Sequence, residues 1–433
     1  MPVASPSHPL IVIVGATGTG KSQLAVELAT TYNGEIINSD AMQMYEDLPI
    51  ITNKISIEEQ RKIPHHLLGN VGLKEEPWRV GTFKREAERI IKDIHSRGRL
   101  PIVVGGTHYY TQSLFFDNAI IPTREEPEAQ NDVPREEITK RFPILHRPTE
   151  EILAQLKTVD PIMADRWHPN DRRKIQRSLE VFLMTGTQAS HVYEAQKSTM
   201  PIENDASQLL RSTLWFWVHA ESEVLKARLD ARVEKMMDSG LLDEVRSLGQ
   251  SLRDQEVNDE NLDKSRGIWV SIGFKEFESY LSALENSTST NKELEKLRTE
   301  SIEQMKAATR QYSRRQIRWI RIKLLAALSR AAALDRMFVL DGTDIKQWNE
   351  RVLSPALRVA GDFLAGSDLP SPADLSPVAN EVLAQKQVYD LSDRPDLWIR
   401  HTCELCNTTV VTEDQWQQHL KSRGHRRATK KMK

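Results

Sequence analysis

The sequence predicts an α/β protein: a P-loop doubly wound parallel sheet with a helical insertion domain and a C-terminal two-Cys two-His zinc finger. Three observations carry this. Gly15-Ala16-Thr17-Gly18-Thr19-Gly20-Lys21-Ser22 fits G-x-x-x-x-G-K-[ST] in full, between a β-branched run at 10–14 and a helical pattern at 23–31. Strand, glycine turn and helix then recur at 100–110, where Leu100-Pro101-Ile102-Val103-Val104 runs into Gly105-Gly106-Thr107-His108-Tyr109-Tyr110. The only two cysteines, Cys403 and Cys406, stand at metal-ligand spacing ahead of His419 and His425.

A chain of 433 residues can bury a large core and divide into several domains. Its net charge of −2 gives no global attraction for nucleic acid, so basic character must be local. No apolar run approaches ~18 residues, so no membrane span is expected. Residues 1–9 lack both an apolar signal core and the Arg-rich pattern of a transit peptide. The expected location is therefore cytoplasmic, with a nuclear pool allowed and no mitochondrial address indicated. Two closely spaced cysteines argue for a metal site and against a disulfide framework.

In the phosphate loop, glycines let backbone N–H groups turn inward around an anion, and the helix N-terminus adds unpaired donors and partial positive charge. Lys21 would neutralise phosphate oxygens, and the Ser22 hydroxyl would ligate a bridging Mg²⁺. A second strand, 35–38, ends in Ser39-Asp40-Ala41-Met42-Gln43, at the carboxyl edge where such sheets bind ligands. Asp40 therefore faces the phosphate loop or caps a following helix. An amphipathic helix over 78–97 leads to the strand at 100–104.

Residues 121–150 are Pro-rich and acidic and read as a loop, and 150–200 read as helices. Strand character returns at 214–218. The domains expected are a discontinuous core at 1–118 and 211–340, an insertion at 119–210, a linker region at 341–396 with room for a helix, and the finger with its basic tail at 397–433. A loop is expected over 251–266.

Basic residues gather in three places. Arg173, Lys174 and Arg177 project from a helix whose apolar face is Ile175, Leu179 and Phe182. Arg228 and Arg232 lie one turn apart on a helix over 221–239. Arg310, Arg314, Arg318 and Arg321 form a stripe on a helix over 292–332, with Tyr312, Arg315, Trp319 and Lys323 interleaved and few acids nearby. Such a stripe suits a phosphate backbone. At the end, Cys403-x2-Cys406-x12-His419-x5-His425 suits a tetrahedral Zn²⁺, with Val410, Trp416 and Leu420 as its core and a basic tail after it.

Three chemistries remain open on these residues: a kinase, a DNA-binding ATPase, and an RNA-modifying enzyme with a diphosphate donor. A kinase would place an Asp at the end of a later apolar strand, where this chain has Gly105-Gly106. The loop together with Asn38-Ser39-Asp40-Ala41-Met42-Gln43-Met44-Tyr45, Ile51-Thr52-Asn53-Lys54, Pro64-His65-His66-Leu67, Gly105 to Tyr110, Asp171 to Lys174 and Arg228-x3-Arg232 resembles the tRNA dimethylallyltransferases of the eukaryotic type. The C-terminal finger belongs to the same pattern. The resemblance implies transfer of a dimethylallyl group from dimethylallyl diphosphate to N6 of adenosine 37, beside the anticodon.

It implies Asp40 as general base, with Thr17, Lys21, Arg232 and Thr107 beside the reacting groups. Residues 15–22 with Arg228 and Arg232 would hold the diphosphate. Asp40, Ala41, Met42, Gln43, Thr107, Arg172, Arg173, Lys174, Gln176, Arg177, Arg310, Arg314, Arg315, Arg318 and Arg321 would meet the tRNA anticodon stem-loop. Mg²⁺ would serve catalysis and Zn²⁺ the finger, and a monomer suffices. The nearest alternative is an adenylate isopentenyltransferase acting on free AMP, ADP or ATP, which needs neither finger nor basic helices.

Overall fold

The computed structural model describes residues 6–116, 141–198, 209–258, 263–264, 266–285, 289–384, 398–406 and 408–431. The chain divides into two compact units, Met1–Asp117 with Glu203–Val388, and Asn118–Ile202 with Tyr389–Lys433.

The first unit is built on six parallel strands: β1 (Leu10–Gly15), β2 (Gly34–Asn38), β3 (His65–His66), β4 (Leu100–Val104), β5 (Thr213–His219) and β6 (Met337–Asp341). Their order is β3-β2-β4-β1-β5-β6. Strands covered on both faces read as continuous apolar runs, and the fully buried Leu10-Ile11-Val12-Ile13-Val14 is such a run. Alternation divides these side chains between two cores. Val12, Val14, Trp215 and Trp217 pack with Phe83, Ala87, Ile90 and Ile94 of the Val80–Ser96 helix. Ile11, Ile13, Leu214 and Phe216 pack on the other face with Leu24 and Leu28 of the Lys21–Thr31 helix.

The chain leaves β1 toward β2 on one side and enters β5 on the other. The carboxyl end of β1 is therefore the switch point at which a ligand crevice opens. The phosphate loop lies there.

Two expectations are corrected, and the long basic helix keeps its expected span with a π turn inside it. Much of 341–396 is core: Trp348, Val352, Ala356, Val359, Ala360 and Phe363 are buried in the same cluster as β1. Their helical spacing was masked by flanking polar and Pro/Ser residues. The helices Ser354–Ala365 and Pro377–Ala384 both belong to the first unit. Residues 385–397 lie outside the described residues. The stretch 251–266 begins as helix, because Leu241–Asn258 continues past Leu248. The long basic helix is Asn291–Trp319, opening into a π turn over Ile320–Leu324 before Leu325–Arg330.

The second unit holds the helices Thr149–Val159, Pro161–Arg166, Arg172–Thr185 and Ala189–Ser198 around Leu145, Ile152, Leu156, Met163, Ile175 and Leu179. Buried Asp160 accepts from Met163 N at 3.2 Å and Ser190 N at 2.9 Å, satisfying two helix-start amides. The same unit contains the hairpin β7 (Trp398–Cys403) and β8 (Thr408–Thr412), then the helices Glu413–Leu420 and Arg423–Lys431. His168 Nε2 lies 2.9 Å from the Thr409 carbonyl, tying the helices to the hairpin. The Pro-rich segment expected over 121–150 lies outside the described residues up to 140. Among the described residues no helix is long and apolar enough to cross a membrane.

Candidate active site

The phosphate loop leaves β1 and ends at Gly20, whose φ of 93° is left-handed. A Cβ there would stand 2.5 Å from the Trp348 ring, so both conformation and contact require glycine. Thr19 Oγ1 and Lys21 Nζ donate to the Ala16 carbonyl at 2.9 and 2.8 Å, closing the loop on itself. Burial lowers the Lys21 pKa to about 8, with Asp40 opposing the shift and Arg232 adding to it. Ser22 is exposed on the first helical turn.

Asp40 follows the end of β2. Asn38 clamps its backbone, accepting from Asp40 N at 3.0 Å and donating to Asp40 O at 3.0 Å. Asp40 Oδ1 accepts from Met42 N at 3.1 Å in a turn, and no helix follows, so the capping role is not realised. Burial raises the carboxyl pKa, against the Met42 amide and Lys21. Ala41 N donates to Thr107 Oγ1 at 3.0 Å, joining this turn to the one after β4. Met42 packs against the core, and Gln43 Nε2 donates to Asn53 O at 3.0 Å.

The arginine pair separates. Arg232 Nη1 donates to Thr17 Oγ1 at 3.0 Å, whereas Arg228 turns to the carbonyls of Gly342 (2.8 Å) and Thr343. The structure thus brings Arg232 to the loop and ties Arg228 to the turn after β6.

Gln316 and Tyr312 reach the site from the inward face of Asn291–Trp319. Gln316 Oε1 accepts from Thr17 N at 2.8 Å, and its Nε2 donates to Gly106 O at 3.0 Å. Tyr312, its pKa raised by burial and by Asp40, faces Thr107 and Gln316. Sequence reasoning placed neither in the catalytic site. The available signal was their position a turn apart on the side of the helix away from the exposed arginines. His108 was missed as well: it is buried, both ring nitrogens lack a partner, and desolvation followed by Lys21 lowers its pKa to about 3.

The basic stripe is only partly a free face. Arg314, Arg315 and Arg318 are exposed, but Arg310 pairs with Asp230 and Arg321 is half-buried beside His219. The acids that looked scarce along the helix come from the Ser222–Asp238 helix packed against it. In the second unit Arg172 donates to Leu145 O at 3.1 Å and Arg147 O at 2.8 Å, and buried Gln176 donates to Leu145 O at 3.2 Å. These two brace their helices. Arg173 and Lys174 are exposed, Lys174 paired with Asp171 at 2.8 Å, and Arg177 pairs with Glu180 at 2.6 Å.

Cys403, Cys406, His419 and His425 converge, their ligand atoms all within 4.8 Å of one another. His425 Nδ1 lies 3.5 and 3.4 Å from the two sulfurs, about the S···N edge of a tetrahedral zinc shell with Zn–S ~2.3 Å and Zn–N ~2.0 Å. His419 Nε2 is buried with no hydrogen-bond partner, as a lone pair reserved for a metal would be. The residues fit Zn²⁺.

A glycine loop at a sheet switch point, with half-buried Lys21 and Arg232 and with Asp40 close by, defines an α/β protein of the P-loop class. Comparison with known proteins narrows the class. The IPP transferase family matches residues 43–323, and a zinc finger of C2H2 type matches 401–425. The chain is 36% identical over 427 residues to the tRNA dimethylallyltransferase of Saccharomyces cerevisiae, covering 97% of this chain and 92% of that one. It is 35% identical to the human tRNA dimethylallyltransferase, covering 98% and 86%. A crystal structure of a eukaryotic dimethylallyltransferase acting on tRNA superposes with a TM-score of 0.73 at 34% identity, covering 98% of this chain and 96% of that one. The chain belongs to the IPP transferase family.

Proposed function

We propose that this protein transfers a dimethylallyl group from dimethylallyl diphosphate to N6 of adenosine 37 in tRNA. One arrangement carries the reading: Arg232 holds Thr17 of the phosphate loop, Lys21 lies within charge–charge reach of Asp40, and the Asp40 turn is tied to Thr107 through the Ala41 amide. An exocyclic adenine amine is a poor nucleophile because its lone pair is delocalised into the ring. Catalysis must therefore stabilise the departing diphosphate and take the amine proton as the C–N bond forms. The loop amides, Lys21 and Arg232 hold the leaving group. The carboxylate of Asp40 accepts the N6 proton, its raised pKa making it a stronger base than a solvated aspartate. Ser22 would hold a Mg²⁺, which supplies charge neutralisation at the diphosphate.

The adenine must leave the anticodon stack to reach Asp40, at a cost of a few kcal/mol. Arg314, Arg315 and Arg318 in the first unit, and Arg173 and Lys174 in the second, are the exposed cations suited to RNA phosphates. The zinc finger with its basic end contacts the anticodon stem. One site per chain makes a monomer sufficient, and a cytoplasmic enzyme with a nuclear pool fits a tRNA substrate.

The deciding experiment is a single-turnover reaction with dimethylallyl diphosphate, Mg²⁺ and two parallel acceptors, unmodified tRNA and AMP. Prenylated adenosine in tRNA alone supports the proposal. Prenylated AMP with unchanged tRNA makes the enzyme an adenylate isopentenyltransferase and leaves the finger without a use.

A further inference from the structure

Gln316 joins two turns from far along the chain, 299 residues from Thr17 and 210 from Gly106. The Thr17 N–H needs an acceptor and the Gly106 C=O a donor, so the carboxamide can bridge them in one orientation only: Oε1 to Thr17 N at 2.8 Å, Nε2 to Gly106 O at 3.0 Å. The side chain is buried, at 4% exposure, so a broken bridge leaves polar groups without water. A Cβ on Gly106 would lie 2.6 Å from Asp40 Oδ2 and 2.6 Å from Gln316 Nε2. The carboxylate and the amide nitrogen therefore converge on one backbone atom. From Thr17 the hydrogen bonds continue to Arg232, and after Gly106 the next residue, Thr107, holds the Ala41 amide.

We infer that Gln316 is a positioning residue that fixes the distance between the diphosphate half of the site and the proton-accepting half. It rests on the prenyl-transfer reading for its kinetic consequences, but the bridge itself is a property of the fold. The hydrogen bonds of Gln316 go to Thr17 and Gly106, and it acts through them. It also lies on the helix whose outer face carries Arg314, Arg315 and Arg318, so a force on that face reaches both turns through one side chain. Attack requires reacting atoms ~3–3.5 Å apart, and a displacement of ~1 Å costs roughly 10²-fold in rate.

Two variants test this in the full-length protein. Gln316→Leu removes both hydrogen bonds. Its kcat for tRNA prenylation should fall roughly 100-fold while KM for dimethylallyl diphosphate stays within about 3-fold. Hydrogen exchange of the peptide spanning 14–20 should speed up. Gln316→Glu keeps an acceptor for Thr17 N, loses the donor to Gly106 O and adds an anion beside Asp40. Exchange at 14–20 should stay slow, kcat should fall, and the acid limb of the pH–rate profile should move to higher pH. A Gln316→Leu kcat within about 3-fold of the parent, or an effect on KM alone, overturns the inference. If Gln316→Leu does not fold, an unchanged rate and pH profile in Gln316→Glu overturns it. A parent protein that prenylates neither tRNA nor AMP sinks the functional reading instead. In that event unchanged exchange at 14–20 in Gln316→Leu still refutes the bridge, and faster exchange supports it.

Discussion

Arg232 Nη1 donates to Thr17 Oγ1 at 3.0 Å, fixing a guanidinium against the third residue of the phosphate loop. Arg228, one turn earlier on the same helix, is spent on the Gly342 and Thr343 carbonyls. The two should therefore respond differently to alanine. Arg232→Ala removes the cation proposed to hold the leaving diphosphate, and kcat should fall roughly 10²- to 10³-fold, the range for a lost transition-state donor. Arg228→Ala releases two carbonyls and should lower the melting temperature while leaving kcat within about 3-fold. Steady-state kinetics and thermal melts on both variants decide it; equal losses of kcat would refute the division.

With Asp40 as the proposed general base, the pH dependence of activity should follow its carboxyl group. Burial raises its pKa above the ordinary aspartate value of 3.8, and the reaction needs it deprotonated. Activity is therefore full above the raised pKa and is lost as pH falls through it. The acid limb of kcat/KM should lie above the range of a solvated carboxylate. Asp40→Asn keeps the shape and removes the base: turnover should drop at least ~10²-fold with tRNA affinity within about 3-fold. A variant with the parent rate, or a profile flat down to pH 4, would remove Asp40 from the role.

The parts of this architecture written in local signals were legible in the sequence. Leu10 to Gly20 declares itself because a phosphate loop needs glycine where backbone must crowd backbone. Cys403 to His425 declares itself because ligand spacing is a property of one short segment. What was hidden depends on contacts distant in sequence. Gln316 meets Thr17 from 299 residues away, and nothing local to a Gln in a basic helix marks that contact. Arg310 looked free until another helix brought Asp230 beside it. Trp348 and Phe363 looked like parts of a linker because polar and Pro/Ser residues flank their stretch, and only the sheet face they cover explains their burial.

At the far end of β2, Glu35 is a stability device. It is buried and meets Arg97, His66 at 2.7 Å and Arg99 at 2.8 Å. The Arg97 hydrogen bond leads the forces that lower its pKa from 4.5 to about 2. The folded pKa lies below the unfolded one, so the cluster stabilises the fold above about pH 4.5 and loses that contribution as pH falls toward about 2. Glu35→Gln should cost ~1–3 kcal/mol at pH 7, read by denaturant unfolding, with the gap to the parent narrowing below pH 4. Prenylation at 25 °C should be unchanged, because β2 runs from Glu35 away to the Asp40 end of the site.

The zinc site should separate binding from chemistry. Cys403, Cys406, His419 and His425 bring their ligand atoms together in the second unit, whereas Lys21, Asp40, Arg232 and Gln316 all belong to the first. The finger's last helix, Arg423–Lys431, carries Arg423, Arg426, Arg427 and Lys430 on a segment whose start includes the ligand His425. Without metal, the buried His419 nitrogen and the two thiols lose their common partner, and this helix loses its anchor to the hairpin. Metal analysis should find one zinc per chain, and Cys403→Ser should release it. The dissociation constant for tRNA should then rise roughly 10-fold, with a shallower dependence on salt because fewer phosphates are neutralised. At saturating tRNA, kcat should stay within about 3-fold, since no reacting group has moved. A large fall in saturated kcat without weaker binding would place the finger in the catalytic step and overturn its assignment as an RNA contact.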